Sequence, residues 1–118
     1  MLVLDPHPFL ENHLGTIHAS AQFTLAETSS GDLLQQVFQE FAGAVIPVLR
    51  KSQIKFRKPA TTRITAYPVV EQREREKFRE QFTKKGRAVI PVTVELRDEE
   101  CNVTATATFE WFIQRIEQ

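Results

Sequence analysis

The chain has a single cysteine, Cys101, so no internal disulfide can staple it and a reducing compartment is expected. No apolar run approaches the roughly 18 residues of a membrane-spanning helix. The first residues carry no basic segment followed by an apolar one, so no secretory signal is expected either. These absences point to a cytoplasmic protein with no membrane partner. Metal-ligand spacings are missing, so no metal is expected. Cys101 falls in a predicted turn without an activating partner, which argues against a thiol nucleophile. Charge of one sign is not in excess: 15 basic residues balance 15 acidic ones, which removes the bulk-charge argument for nucleic acid. Acids are absent only locally. None falls between Glu40 and Glu71, where Arg50, Lys51, Lys55, Arg57, Lys58 and Arg63 all lie.

The sequence contains enough to build one domain across residues 1–118, with no internal repeat. Met1–Leu4 reads as a short strand stopped by Asp5-Pro6. From His18 the pattern turns helical. Gly31 either ends or weakens that helix, and Asp32 can cap a continuation in which Leu33, Leu34, Val37, Phe38 and Phe41 keep helical spacing. The period then shifts to two. Val48–Phe56 reads as a strand closed by Pro59, and the β-branched run Thr61–Val70 as another. That register puts Leu49 and Ser52 on opposite faces. Glu71–Lys85 reads as a charged, solvated helix with i,i+4 pairs Glu71/Arg75 and Glu80/Lys84, stopped by Gly86. Ala88, Ile90, Val92, Val94 and Leu96 share one strand face. After a turn at Asp98–Asn102, Val103, Ala105, Ala107, Phe109, Trp111 and Ile113 share another, with Thr104, Thr106 and Thr108 opposite. Short strand, long helix, then four strands is an α+β plan: a helix lying on an antiparallel sheet.

The candidate chemistry lies in the run NHLGTIHASAQFTLAE, Asn12 to Glu27. A sheet curled round the helix would bury much of it, and an unpaired buried carboxylate at Glu27 would cost several kcal/mol. A carboxylate kept in such a place is a competent general base near neutral pH. At the start of the helix the amides of Ala19 and Ser20 lack intrahelical partners, and the positive end of the helix dipole lies there too. That is a ready oxyanion site. Asn12 and His18 can orient a water or a carbonyl beside it. The plain reading competes at each position: Glu27 as a solvent-facing acid, His18 as a helix-start cap, Asn12 as a turn former, the basic run as a solvated strand face.

These residues also carry a resemblance. Asn12, Gly15-Thr16, His18-Ala19-Ser20 and Glu27, nine residues after the histidine, resemble the motif of the hotdog-fold thioesterases, in the phenylacetate-pathway-like and 4-hydroxybenzoyl-CoA-like branch. IKFRKPA (54–60) and GRAVIPVTVELRDEECNVTATATFEW (86–111) are similar to the family's strand ending in Phe-x-x-Pro-Ala and to its last hairpin. The resemblance implies a hotdog fold, an antiparallel sheet wrapped around a long central helix. It implies an acyl-CoA thioesterase acting on a small-molecule thioester, with coenzyme A as part of the substrate and no other cofactor. It also implies a homodimer, with a tetramer left open, and active sites at the interface. Asn12, His18 and the Ala19 amide would come from one protomer and Glu27, as base or nucleophile, from the other. Gly15, Ser20, Lys55, Arg57 and Lys58 would hold the substrate, the three cations meeting its phosphates. Three departures stand out: Ala19-Ser20 replaces the usual Gly-Gly, Glu27 the usual Asp, and Leu49 a hydroxyl that some relatives carry. A non-catalytic acyl-CoA-binding dimer is one alternative. A hotdog dehydratase pairing His13 with Glu27, fourteen residues on, is the other; its usual proline-glycine pair is missing from Leu14–Ser20.

Overall fold

The structure is a computed structural model, described here for residues 2–8, 10–11, 15–41 and 44–116. In chain order the elements are β1 (Val3–Leu4), α1 (Ala19–Val37), a 3-10 turn (Gln39–Phe41), β2 (Val45–Phe56), β3 (Ile64–Val69), α2 (Gln72–Lys85), β4 (Arg87–Arg97) and β5 (Val103–Arg115). The five strands form one antiparallel sheet in the order β1-β3-β4-β5-β2. The sheet curls around α1, as the α+β expectation requires.

α1 can lie close to the sheet because its inward residues are small. Ala26, Ser29 and Ser30 are buried together with Gln22, Leu25 and Leu34. Against them stand Ile64 and Ala66 of β3 and Ile90, Val92, Val94 and Leu96 of β4, all buried. Burying these branched side chains stabilises the fold by about 1.5–3 kcal/mol each. The packing of α1 is concentrated on β3 and β4 and thins at β5, so β2 lies beyond the helix's own cover.

α2 closes the end of the sheet. Phe78 and Phe82, one turn apart, are buried and stacked at 5.4 Å, and Phe78 meets Phe38 at 4.7 Å. Arg79 ties α2 to the end of α1 through Glu40 at 2.8 Å and the Val37 carbonyl at 3.4 Å. Gly86 stops the helix in a left-handed conformation, φ 70°, its N–H donating to the Phe82 carbonyl at 2.8 Å. Of the two expected ion pairs, Glu80–Lys84 forms at 3.2 Å. Glu71–Arg75 does not form among the described residues: the Arg75 Nε is buried without a hydrogen-bond partner.

Several boundaries differ from the sequence expectation. α1 runs unbroken through Gly31 and Asp32, because burial of Ser30 and Leu34 on either side outweighs the glycine's weak propensity. It ends at Val37, so Phe41 falls in the 3-10 turn instead. β2 begins at Val45, earlier than Val48, and β3 spans only Ile64–Val69. On β5, Ala105, Ala107, Phe109 and Ile113 are buried on one face as expected. Thr104 is not on an open face. The ladder skips it between Leu96↔Ala105 and Arg97↔Val103, and it is fully buried with its Oγ1 donating to the Leu96 carbonyl at 3.3 Å. This bulge also puts Val103 opposite Arg97, off the face it was expected to share.

A second bulge matters more for chemistry. Leu49 pairs with Trp111 and Lys51 with Glu110, leaving Arg50 as the extra residue. Because a bulge adds one residue to one strand, the alternation of β2 flips there. Ser52 now stands opposite Phe109, on the helix-facing side with Leu49, not opposite to it as the unbroken register predicted.

Candidate functional site

The approach to α1 is built by two backbone tethers. The Ile17 N–H donates to the Ala60 carbonyl at 2.8 Å and the His18 N–H to the Leu10 carbonyl at 2.6 Å. An antiparallel bridge pairs Glu11 with Ile17. Gly15, exposed, has φ 77°, which explains a glycine there without invoking a ligand. Asn12 and His13 lie outside the described residues. The Ala60 tether brings Arg57–Pro59 beside the start of the helix.

His18 is the N-cap and makes no side-chain cap bond. It is exposed, as are Ala19 and Ser20. The first helical bond runs from the Gln22 N–H to the His18 carbonyl at 3.1 Å, so the amides of Ala19 and Ser20 precede the ladder at the positive end of the dipole. A nineteen-residue helix supplies that dipole in full. Gln22, which the sequence reading passed over, is buried below this point. Its Nε2 donates to the Ile17 carbonyl at 3.1 Å, while its Oε1 is buried without a partner among the described residues.

Glu27 is half-buried rather than buried, at the margin of the packed face of α1. On that stripe Phe23 precedes it by one turn and packs edge-on against Phe109 at 5.6 Å. Ser30 and Gly31 follow it. The Ser30 Oγ donates to the Glu27 carbonyl at 2.7 Å and accepts the Trp111 indole N–H at 3.0 Å. Glu27 thus shares the stripe of α1 whose neighbours Phe23 and Ser30 meet β5, and Ser52 stands opposite Phe109 of that strand.

Within one protomer these parts do not converge. Nine residues of α-helix separate His18 from Glu27, which is about 13 Å of rise and about half a turn of rotation. A reacting carbonyl and its attacking group must come within about 3 Å.

The basic residues divide as well. Lys55 stands opposite Thr106, on the sheet face away from α1, and the Arg57 Nε donates to the Thr106 Oγ1 at 3.3 Å. The amides of Arg57 and Lys58 both donate to the Thr104 carbonyl, at 2.7 and 3.2 Å, which is the use the buried bulge serves. Lys58 neighbours the Asp98 turn. Partial burial pushes the Asp98 carboxyl up, but the Asn102 amide and side chain, the Glu100 N–H and the Lys58 charge together hold it below its ordinary value.

β2 is an edge strand of twelve residues, paired on one side only, to β5. Ile46, Val48 and Phe56 are about half exposed on it, at 53%, 51% and 44%. A long open edge with apolar side chains is a template for pairing with another strand.

Comparison with known proteins adds the following. A family model described as a domain of unknown function (DUF4442) matches residues 3–113. No curated protein matches the chain. The fold is similar to that of the Pseudomonas aeruginosa protein PA5026, a protein of unknown function named as a probable thioesterase, with TM-score 0.83, 24% identity, and 97% of this chain and 74% of that one covered. It is similar to the Bacillus halodurans protein BH2602, solved with CoA, with TM-score 0.71, 21% identity, and 94% and 64% covered. It is also similar to the Haemophilus influenzae thioesterase HI1161, with TM-score 0.72, 13% identity, and 98% and 71% covered. These likenesses establish the hotdog fold.

Proposed function

We propose that this chain, which belongs to the DUF4442 family of domains, is an acyl-CoA thioesterase whose active sites form between two copies. The observation that carries the reading is the separation of His18 from Glu27 by nine helical residues, about 13 Å, on a helix whose neighbouring sheet edge is open. Pairing β2 with a second β2 extends the sheet and buries Ile46, Val48 and Phe56. It also brings a second α1 across the edge, so that one protomer's helix start meets the partner's carboxylate.

In this arrangement the Ala19 amide, with Asn12 and His18 beside it, binds the thioester oxygen and stabilises its negative charge in the transition state. Glu27 takes a proton from water as its oxygen adds to the thioester carbon, or attacks that carbon itself to give an anhydride that water then hydrolyses; the C–S bond breaks and CoA leaves as the thiolate. Ser52, turned to the helix face by the Arg50 bulge, is placed to hold the water. Ser20 and Gly15 flank the thioester. Lys58 beside the helix start, with Arg57 and Lys55 round the end of β2, meets the phosphates of CoA. The presence of CoA in the Bacillus halodurans relative supports that ligand.

Purified protein should release free thiol from members of an acyl-CoA panel, and Glu27→Ala should lose that release. Equal turnover by wild type and Glu27→Ala would remove the carboxylate from the mechanism. A strictly monomeric protein with full activity would remove the shared site.

A further inference from the structure

Gln22 is the least expected residue on the buried stripe of α1. It is 4% exposed, on a stripe it shares with Leu25, Ala26, Ser29 and Ser30. Burying a carboxamide costs stability unless both of its ends are bonded. Only one end is. The Nε2 donates to the Ile17 carbonyl at 3.1 Å, and the Oε1 has no partner among the described residues. A leucine or methionine would fill similar space without that orphan, so packing alone does not account for the glutamine.

What the carboxamide does bond is the backbone just ahead of the proposed oxyanion donor. His18 lies between two peptide groups. The first, Ile17–His18, has its N–H on the Leu10 carbonyl at 2.6 Å and its carbonyl on the Gln22 Nε2. The second, His18–Ala19, has its carbonyl on the Gln22 backbone N–H at 3.1 Å. Gln22 thus holds both planes that flank His18, one through its side chain and one through its backbone, with His18 at φ −55° and ψ 144°. In a trans peptide the N–H points opposite to the C=O, so the Ala19 N–H points away from Gln22, out of the start of the helix. The carboxamide works in one sense only. Turned over, its Oε1 would face the Ile17 oxygen, two acceptors with no proton between them.

We infer that Gln22 is a positioning residue for the proposed reaction: its side chain locks the Ile17–His18 peptide and so aims the Ala19 N–H at the thioester oxygen. This role rests on the thioesterase reading for the oxyanion, and it falls to a residue that touches no substrate. An oxyanion donor is effective only when it is fixed in place before the charge develops. A misplacement of about 1 Å can lower a rate about 100-fold. The unpaired Oε1 is the stability given up for that aim.

Gln22→Met keeps the length of the side chain and removes the donor and the orphan acceptor together. In thiol release from an acyl-CoA that the full-length protein hydrolyses, this variant should have kcat lowered about tenfold or more with KM unchanged. Its urea midpoint should stay close to that of wild type, because one unpaired group is exchanged for another. Gln22→Asn, one methylene too short to reach the Ile17 carbonyl, should lose kcat in the same way. In an Ala19→Pro background, which has no N–H to aim, Gln22→Met should lower kcat no further. Wild-type kcat in either Gln22 variant overturns the role. So does an equal fractional loss with and without the Ala19 N–H, or a loss of kcat that only follows a fall in the urea midpoint. No turnover by wild type overturns the thioesterase reading and this role with it, whereas the other outcomes leave that reading standing.

Discussion

Replacing Ala19 with proline removes one hydrogen-bond donor and little else. Ala19 is the first residue of α1, and its N–H precedes the first helical bond. Proline is favoured at that position because its fixed φ suits the helix and the lost N–H has no helical partner. The preceding residue must avoid the helical region, and His18 already does, at φ −55° and ψ 144°. Ala19 is exposed, so the ring meets no packed neighbour. The unfolding free energy should therefore move by less than about 0.5 kcal/mol. The reaction should suffer far more. Loss of one oxyanion donor lowers kcat by about 100- to 1,000-fold, or about 3–4 kcal/mol of barrier. Urea unfolding measures the first quantity and thiol release from acyl-CoA the second. The same variant tests where the carboxylate comes from. Ala19→Pro and Glu27→Ala proteins, each inactive alone, should regain activity when unfolded together and refolded as a mixture. Random pairing places both intact halves together in about a quarter of the sites. Full activity in Ala19→Pro would refute the oxyanion assignment, and no recovery on mixing would refute the shared site.

Three further outcomes follow from particular contacts. Gly31→Ala should raise stability by about 1 kcal/mol by urea or thermal unfolding, since helix propensity improves and the added methyl makes only ordinary contact with Trp111. Phe78→Ala should cost about 3–5 kcal/mol, because its buried ring stacks on Phe82 and joins α2 to Phe38. Asp98 has a lowered folded pKa, so its stabilisation is present above the unfolded value of about 4 and is lost as pH falls through the folded one. The stability gap between wild type and Asp98→Ala should thus be steady from neutral pH down to about 5 and narrow in stronger acid; a gap that widened instead would reverse the sign of the argument.

Much of this was legible beforehand because it depends on local periodicity. The inward faces of β4 and, from Ala105 onward, of β5 follow from alternation alone, whereas the helix read as solvated buries Phe78 and Phe82. The stop at Gly86 follows from its freedom at positive φ. Local rules failed where a strand departs from period two. No residue type announces the extra Arg50 or the buried Thr104, since each bulge is set by how two strands must meet, and one such residue inverts every face beyond it. Gly31 was left open between a break and a weak point for a related reason: propensity is local, whereas the burial that carries α1 through it is not.

The sequence by itself determined the inventory of the candidate site, an acid nine residues after a histidine at the start of a helix, together with the sheet faces that enclose that helix. Only the tertiary structure decided how those parts can act. The bulge turns Ser52 inward, and the offset of α1 toward β3 and β4 leaves the β2 edge uncovered. Both are relations between segments distant in the chain, and neither is written in the spacing of neighbouring residues.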